Sequence, residues 1–179
     1  MNPFHNRPAE LELYSPLVGS SMLELGNKIN TPFTYKKYFE SLGFRHVSID
    51  TNGKDGALPL DLTKPLELGT FDMVTNIGTS EHVREQEPCW RNILEAMHVG
   101  SVLLCTTPQP GQWQWHGEHY PDDVFYRELA ELNGLTVDRL YLNGEEPRRM
   151  WFARMTRVAY VPFKMPTTPI FFNKEYSQR

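Results

Sequence analysis

Apolar and polar positions alternate along this chain in short blocks that switch between a period of two and a period near 3.6. Met22 to Leu25 form an apolar run ended by Gly26, which reads as a first strand. Thr31-Pro32 then supplies a helix N-cap followed by proline at the first helical position. A helix is expected from Pro32 to Leu42, because Tyr35, Tyr38, Phe39 and Leu42 fall on one face and Gly43 sits where a left-handed C-cap belongs. His46 to Asp50 read as a second strand ending in an acid. Ala57 to Leu60, before Asp61, is expected as a third, with only the turn-rich Thr51 to Gly56 stretch where a helix would otherwise stand.

The second half repeats the alternation. Phe71 to Thr75 predict a strand, and Pro88 to His98 a helix whose Cys89, Ile93, Ala96 and Met97 lie mostly on one side, with Gly100 as its cap. Val102 to Cys105 follow as a buried strand. Asp122 can cap a helix presenting Phe125, Leu129 and Leu132 and ended by Gly134. Leu135 to Leu142 and Met150 to Val158 then read as a closing antiparallel pair. Strands alternating with helices predict an α/β fold with a mostly parallel, doubly wound sheet. One domain over residues 1–159 is expected, with 160–179, which carry Pro162, Pro166 and Pro169 and no clear period, as a tail.

Composition narrows the function classes. The chain has 179 residues, 40% hydrophobic and 22% charged, and no apolar run approaching the roughly 20 residues of a membrane span. No membrane partner is expected. The first residues lack the basic region and apolar core of a signal peptide, and two cysteines make no disulfide framework, so a cytoplasmic location is expected. A net charge of −4 offers no long-range attraction to nucleic acid, and Arg148, Arg149, Arg154 and Arg157 read as solvated strand ends and ion pairs.

A glycine after the first strand and an acid after the second form the sharpest chemical signal. The glycine lets a ligand approach the backbone, and the acid can accept from ribose hydroxyls, which points to an adenosine-containing cofactor. Gly26 continues into Asn27-Lys28-Ile29-Asn30 rather than further glycines, which turns the reading from NAD to S-adenosylmethionine.

In order, Glu24-Leu25-Gly26, Asp50, Asp61-Leu62 and the segment Phe71 to His82 resemble the class I S-adenosylmethionine-dependent methyltransferases, from about Met22 to Val158. The resemblance implies a Rossmann-like fold. It also implies that Glu24 and Gly26 lie beside the methionine part of the cofactor, that Asp50 holds the ribose and that Asp61 and Leu62 meet the adenine. Asn76, Ile77 and Gly78 are implied to complete that site. Lys28 stands where the family usually has glycine. It either crowds the site or pairs with the methionine carboxylate.

Three histidines are candidates for the base that methyl transfer to a neutral acceptor needs: His82 at the edge of the fourth strand of the family pattern, and His116 and His119 in the long Thr106–Pro121 loop. In that loop Trp113, Trp115 and Tyr120 could bind an acceptor by stacking. Each of these residues also has a structural role open to it, as a packed helix histidine or an aromatic loop folded on the core. The spacing of His116, Glu118, His119 and Asp122 matches no strong ligand signature, so no metal is expected. Cys89 and Cys105 read as core residues. No nucleophile elbow or phosphate-binding loop occurs. The expected function is methyl transfer from S-adenosylmethionine to a hydroxyl or amine of a small-molecule, sugar-type acceptor, with a homodimer left open. The alternative is a non-enzymatic binding or scaffold protein with a degenerate cofactor site, using Ile170-Phe171-Phe172 against a partner.

Overall fold

Pairing of the apolar blocks produces a six-stranded sheet in the computed structural model, which describes residues 20–27, 39–41 and 43–172, with side chains as far as Ile170. In chain order the elements are β1 (Ser21–Leu25), β2 (Arg45–Ile49), β3 (Phe71–Ile77), α1 (Gln86–Glu95), β4 (Met97–Pro108), β5 (His119–Tyr120), α2 (Asp123–Leu132), β6 (Leu135–Asn143), β7 (Met150–Arg157) and β8 (Phe171–Phe172). Short 3-10 turns cover Lys54–Gly56 and Ser80–His82. The sheet order is β2-β1-β3-β4-β7-β6, parallel from β2 to β4 and antiparallel at β7 and β6. β1 therefore has β2 on one side and β3 on the other. Their C-terminal ends form a topological switch point, the place where open α/β sheets bind ligands.

Successive residues point to opposite faces of a strand, and the two cores divide accordingly. Leu23, Leu25, Val74, Leu103, Cys105, Ala153 and Met155 face one side, where they meet Trp90 of α1 and Phe125, Tyr126 and Leu129 of α2. Met22, Met73, Leu104 and Phe152 face the other, against Phe39 and Phe44. The Pro32–Leu42 helix lies outside the described residues except for a helical end at 39–41, and Gly43, at φ 90°, terminates it as expected. A carboxyl group ties β1 and β3 at their start: Asp72 Oδ2 accepts from the backbone N–H and hydroxyl of Ser20 and of Ser21 at 2.8–3.0 Å.

Two elements depart from the sequence expectation. Ala57 to Leu60 make a single parallel bridge, Leu58 to Ile49, and no strand, because Pro59 has no N–H to continue a ladder. Helix α1 ends at Glu95, so His98 and Gly100 belong to β4. Met97 is buried by pairing with Phe71. Gly100, at φ 96°, serves the bulge between that pair and Met73–Val102, which Ser101 secures by donating to Phe71 O at 2.5 Å. The spacing of Ile93, Ala96 and Met97 fits a helix face and a strand start equally well, and the β3 pairing decides. Residues beyond 160 are also built in. Asn133 exchanges hydrogen bonds with the Lys164 backbone at 2.8 and 2.9 Å, Glu128 accepts from Thr167 and Thr168, and β8 pairs antiparallel with β5. Phe163, Met165 and Ile170 pack on the core, and no helix among the described residues is long and apolar enough to cross a membrane.

The late arginines are mostly tied into the fold. Arg157 is buried and donates to Leu94 O and Met97 O where α1 leads into β4, while Arg149 pairs with Glu146 at 3.4 Å and Arg154 with Asp138 at 3.7 Å.

Candidate active site

A cleft of about 620 Å³ opens at the switch point, lined by residues that follow β1, β2 and β3. Gly26 enters it at φ 79°, a left-handed conformation that disfavours any side chain. A Cβ there would stand 2.7 Å from the Thr79 hydroxyl, which itself donates to Leu25 O at 2.7 Å. Thus the β1 turn and the β3 turn close on each other with no room to spare. Gly78, at φ 66°, makes the second turn.

Of the positions expected to bind cofactor, Gly26, Asp50, Asp61, Leu62, Ile77 and Gly78 line this cleft. Asp50 accepts from Asn52 N–H at 2.9 Å and Asp61 from Thr63 N–H at 2.8 Å. The Thr63 hydrogen bonds hold the Asp61 carboxyl below the usual range. Glu24 and Asn76 do not line it. Glu24 is buried in β1 against His46 Nε2 at 3.0 Å, so its carboxyl braces β1 on β2. Asn76 is buried and accepts from Ser80 N–H at 3.0 Å, which starts the turn carrying Glu81 and His82. Lys28 lies outside the described residues. Thr79, Lys64 and Arg84 line the cleft without having been singled out from sequence. Thr79 carries no local signal, since its role depends on Gly26 across the sheet.

His82 lines the cleft, and the loop after β4 folds down beside it. Glu118 N–H donates to Glu81 O at 2.7 Å, and Gly117 lies so close that a Cβ would meet Glu81 Cγ at 2.8 Å. This contact carries His116 to His82, with ring centroids 4.9 Å apart. Tyr120 is buried; its hydroxyl donates to Trp113 O at 2.7 Å and accepts from Gly117 N–H at 2.9 Å, so it shapes the loop from within. Trp113 is also engaged internally, donating to Arg149 O at 3.0 Å, with Arg148 over its ring and His116 beside it. Trp115 is 48% exposed. Both tryptophans have positive φ, 51° and 64°, a conformation costly for bulky residues. Burial pushes the His119 imidazole below its usual pKa, though Glu118 and a hydrogen bond with the Val83 backbone oppose this.

Glu81 was legible only as part of a Glu-His motif. In the fold its side chain is 0% exposed, and neither carboxyl oxygen has a hydrogen-bond partner among the described residues. Its Oε1 faces His116 Nε2 at 3.7 Å and His82 Nε2 at 4.0 Å. Cys89 and Cys105 are buried core residues, and burial pushes the Cys89 thiol up to about 12.

No family model matches the chain, and no curated protein matches its sequence. Solved structures match its fold. The N-methyltransferase NodS from Bradyrhizobium japonicum WM9 aligns with a TM-score of 0.64 at 16% identity, covering 88% of this chain and 98% of its own. The 1,6-didemethyltoxoflavin-N1-methyltransferase of Burkholderia thailandensis, solved with bound 1,6-didemethyltoxoflavin and S-adenosylhomocysteine, aligns at 0.64 and 12% identity, covering 86% of this chain and 78% of its own. The [4+2]-cyclase SpnF aligns at 0.66 and 10% identity, covering 85% and 80%. Likeness at this identity shows the fold alone, and a cyclase among the matches shows that the fold does not dictate the reaction.

Proposed function

Proceeding from the class I S-adenosylmethionine-dependent methyltransferase fold that the chain shares with these structures, we propose that it transfers a methyl group from S-adenosylmethionine to a hydroxyl or amine of a small-molecule acceptor. The observation that carries the reading is the Gly26–Thr79 closure at the switch point. A Cβ would fill the cradle that Gly26 leaves, and two carboxyl groups, Asp50 and Asp61, stand on the same cleft. That donor set suits an adenosine group, which offers hydroxyl and amino donors.

Bound there, S-adenosylmethionine supplies an electrophilic methyl group. The protein's own work is to hold and orient. Asp50, just after β2, accepts from ribose hydroxyls, while Asp61 accepts from the adenine amino group and Leu62 gives an apolar wall. In-line geometry between acceptor and methyl carbon supplies much of the rate. His82, at the cleft, and His116, beside it, are the groups placed to take a proton from a hydroxyl. His119 is turned toward Val83 and Glu118 and supports the loop. Trp115, the exposed aromatic, is the surface offered to an acceptor ring.

Calorimetric titration of S-adenosylhomocysteine into the purified protein tests this. The expected result is one micromolar site, about −8 kcal/mol, that Asp50→Ala abolishes. No binding to the wild type would favour the binding-protein alternative with a degenerate site.

A further inference from the structure

A glutamate sealed from solvent with neither oxygen hydrogen-bonded among the described residues is costly, because a buried polar group normally has a hydrogen-bond partner. Glu81 is such a group, at 0% exposure. Two imidazoles stand before it, both Nε2 atoms on the same Oε1 from beyond hydrogen-bond range, 3.7 and 4.0 Å. We propose that Glu81, His82 and His116 bind a divalent transition-metal ion at the mouth of the cleft, and that this ion receives a hydroxyl oxygen of the acceptor. The assignment of the acceptor rests on the methyl-transfer reading; the metal site does not.

The geometry suits an ion between the three donors. Two ligands each about 2.1 Å from one ion stand at most about 4.2 Å apart, and both nitrogen–oxygen separations fall below that limit. All three donor atoms lie within 4.8 Å of one another. The imidazoles are 39% and 41% exposed, so small rotations about their side-chain bonds bring them onto an ion while Glu81 stays fixed behind them. Two imidazoles and a carboxylate suit iron, manganese, cobalt, nickel or zinc better than magnesium or calcium, which prefer oxygen throughout. Three protein ligands leave positions open, and His82 turns that side of the site to the cleft.

The loop is built to hold this arrangement. Gly117 allows the approach to Glu81, Glu118 N–H fastens it, and the Tyr120 hydroxyl ties Trp113 to Gly117. Trp113 and Trp115, both just before His116, are held at positive φ, strain of the kind that concentrates at functional sites. A coordinated hydroxyl loses its proton more readily. With both imidazoles engaged on the ion, the proton passes to water in place of His82 or His116, the oxygen forms its bond to the methyl carbon, and the carbon–sulfur bond breaks with its electron pair left on sulfur. The acceptor class that follows is a hydroxyl compound able to coordinate, such as a vicinal diol or a hydroxyl beside a carbonyl.

Cobalt(II) titration of chelator-treated protein tests the site, read by calorimetry and by the visible bands of the bound ion. One equivalent should bind to the wild type. Glu81→Gln and the surface variant His116→Ala should each weaken it by more than the about 10–100-fold typical of lost supporting contacts. Asp50→Ala should bind cobalt like the wild type while losing S-adenosylhomocysteine. Cobalt binding without S-adenosylhomocysteine binding would support the metal site and overturn the cofactor reading. Cofactor binding with no cobalt uptake, or equal uptake by wild type, Glu81→Gln and His116→Ala, would overturn the metal site and leave the cofactor reading standing.

Discussion

The Thr79 hydroxyl stands 2.7 Å from where a Cβ of residue 26 would be, and the same hydroxyl donates to Leu25 O. A side chain at 26 must therefore displace the hydrogen bond that joins the β1 and β3 turns, and must also adopt φ 79°. The conformational part alone costs about 1–2 kcal/mol. Gly26→Ala should lower the melting temperature and weaken S-adenosylhomocysteine binding about tenfold or more. Thr79→Ala in the Gly26→Ala background should restore part of the binding by calorimetry, since it removes the clashing oxygen.

Asp72 should govern the acid limb of stability. Burial pushes its carboxyl up, but hydrogen bonds from Ser20 and Ser21 outweigh this and hold it well below the usual range. The folded pKa is lowered, so the stabilisation is complete above the unfolded value of about 3.9 and is lost as pH falls below it. Asp72→Asn should cost about 1 kcal/mol at neutral pH, a modest figure because solvent screens this partly exposed group. Urea melts between pH 7 and pH 3 should show a flatter acid limb in the variant.

His119 acts in a higher pH window. Its folded pKa is depressed, chiefly by burial, so the unfolded chain takes up a proton first as pH falls through about 6.5. Stability should be full above that value and decline below it toward the folded pKa. His119→Gln, which cannot protonate there, should remove this component from thermal melts between pH 7.5 and pH 5.5, set as about one unit on either side of the imidazole value.

Glu128 clamps the C-terminal segment. Hydrogen bonds from Thr168 and Thr167 pull its carboxyl down to about 2, so the clamp keeps its charge until pH falls toward that value. Glu128→Ala should release residues 160–172 to proteolysis and amide exchange faster than the sheet, with little change in the main melting transition. Equal protection of the segment in variant and wild type would show that Phe163, Met165 and Ile170 hold it alone.

What could be read from the sequence was what is local. Gly26 and Asp50 announce the switch point because a strand end needs few neighbours to define it, and Asp122 caps α2 at 2.9 Å as its spacing implied. Boundaries decided by pairing were not legible: the Ile93–Met97 pattern serves a helix until Phe71 claims Met97. The acids Glu24, Asp50 and Asp61 were assigned by order, yet Glu24 is spent on His46 inside the sheet. Least legible was the meeting of Glu81 with His116, since it needs the Gly117 approach, which no periodicity encodes.

The pairing of His119–Tyr120 with Phe171–Phe172 has a consequence for the order of assembly. β5 follows the histidine loop directly, and its partner strand is the last described piece of the chain to leave a ribosome. All six strands of the main sheet are synthesised before it. A nascent chain can thus close its sheet and shape the cleft while the loop beside it still lacks its outer strand. The outer strand of that loop is therefore added last, after the sheet that frames the cleft is complete.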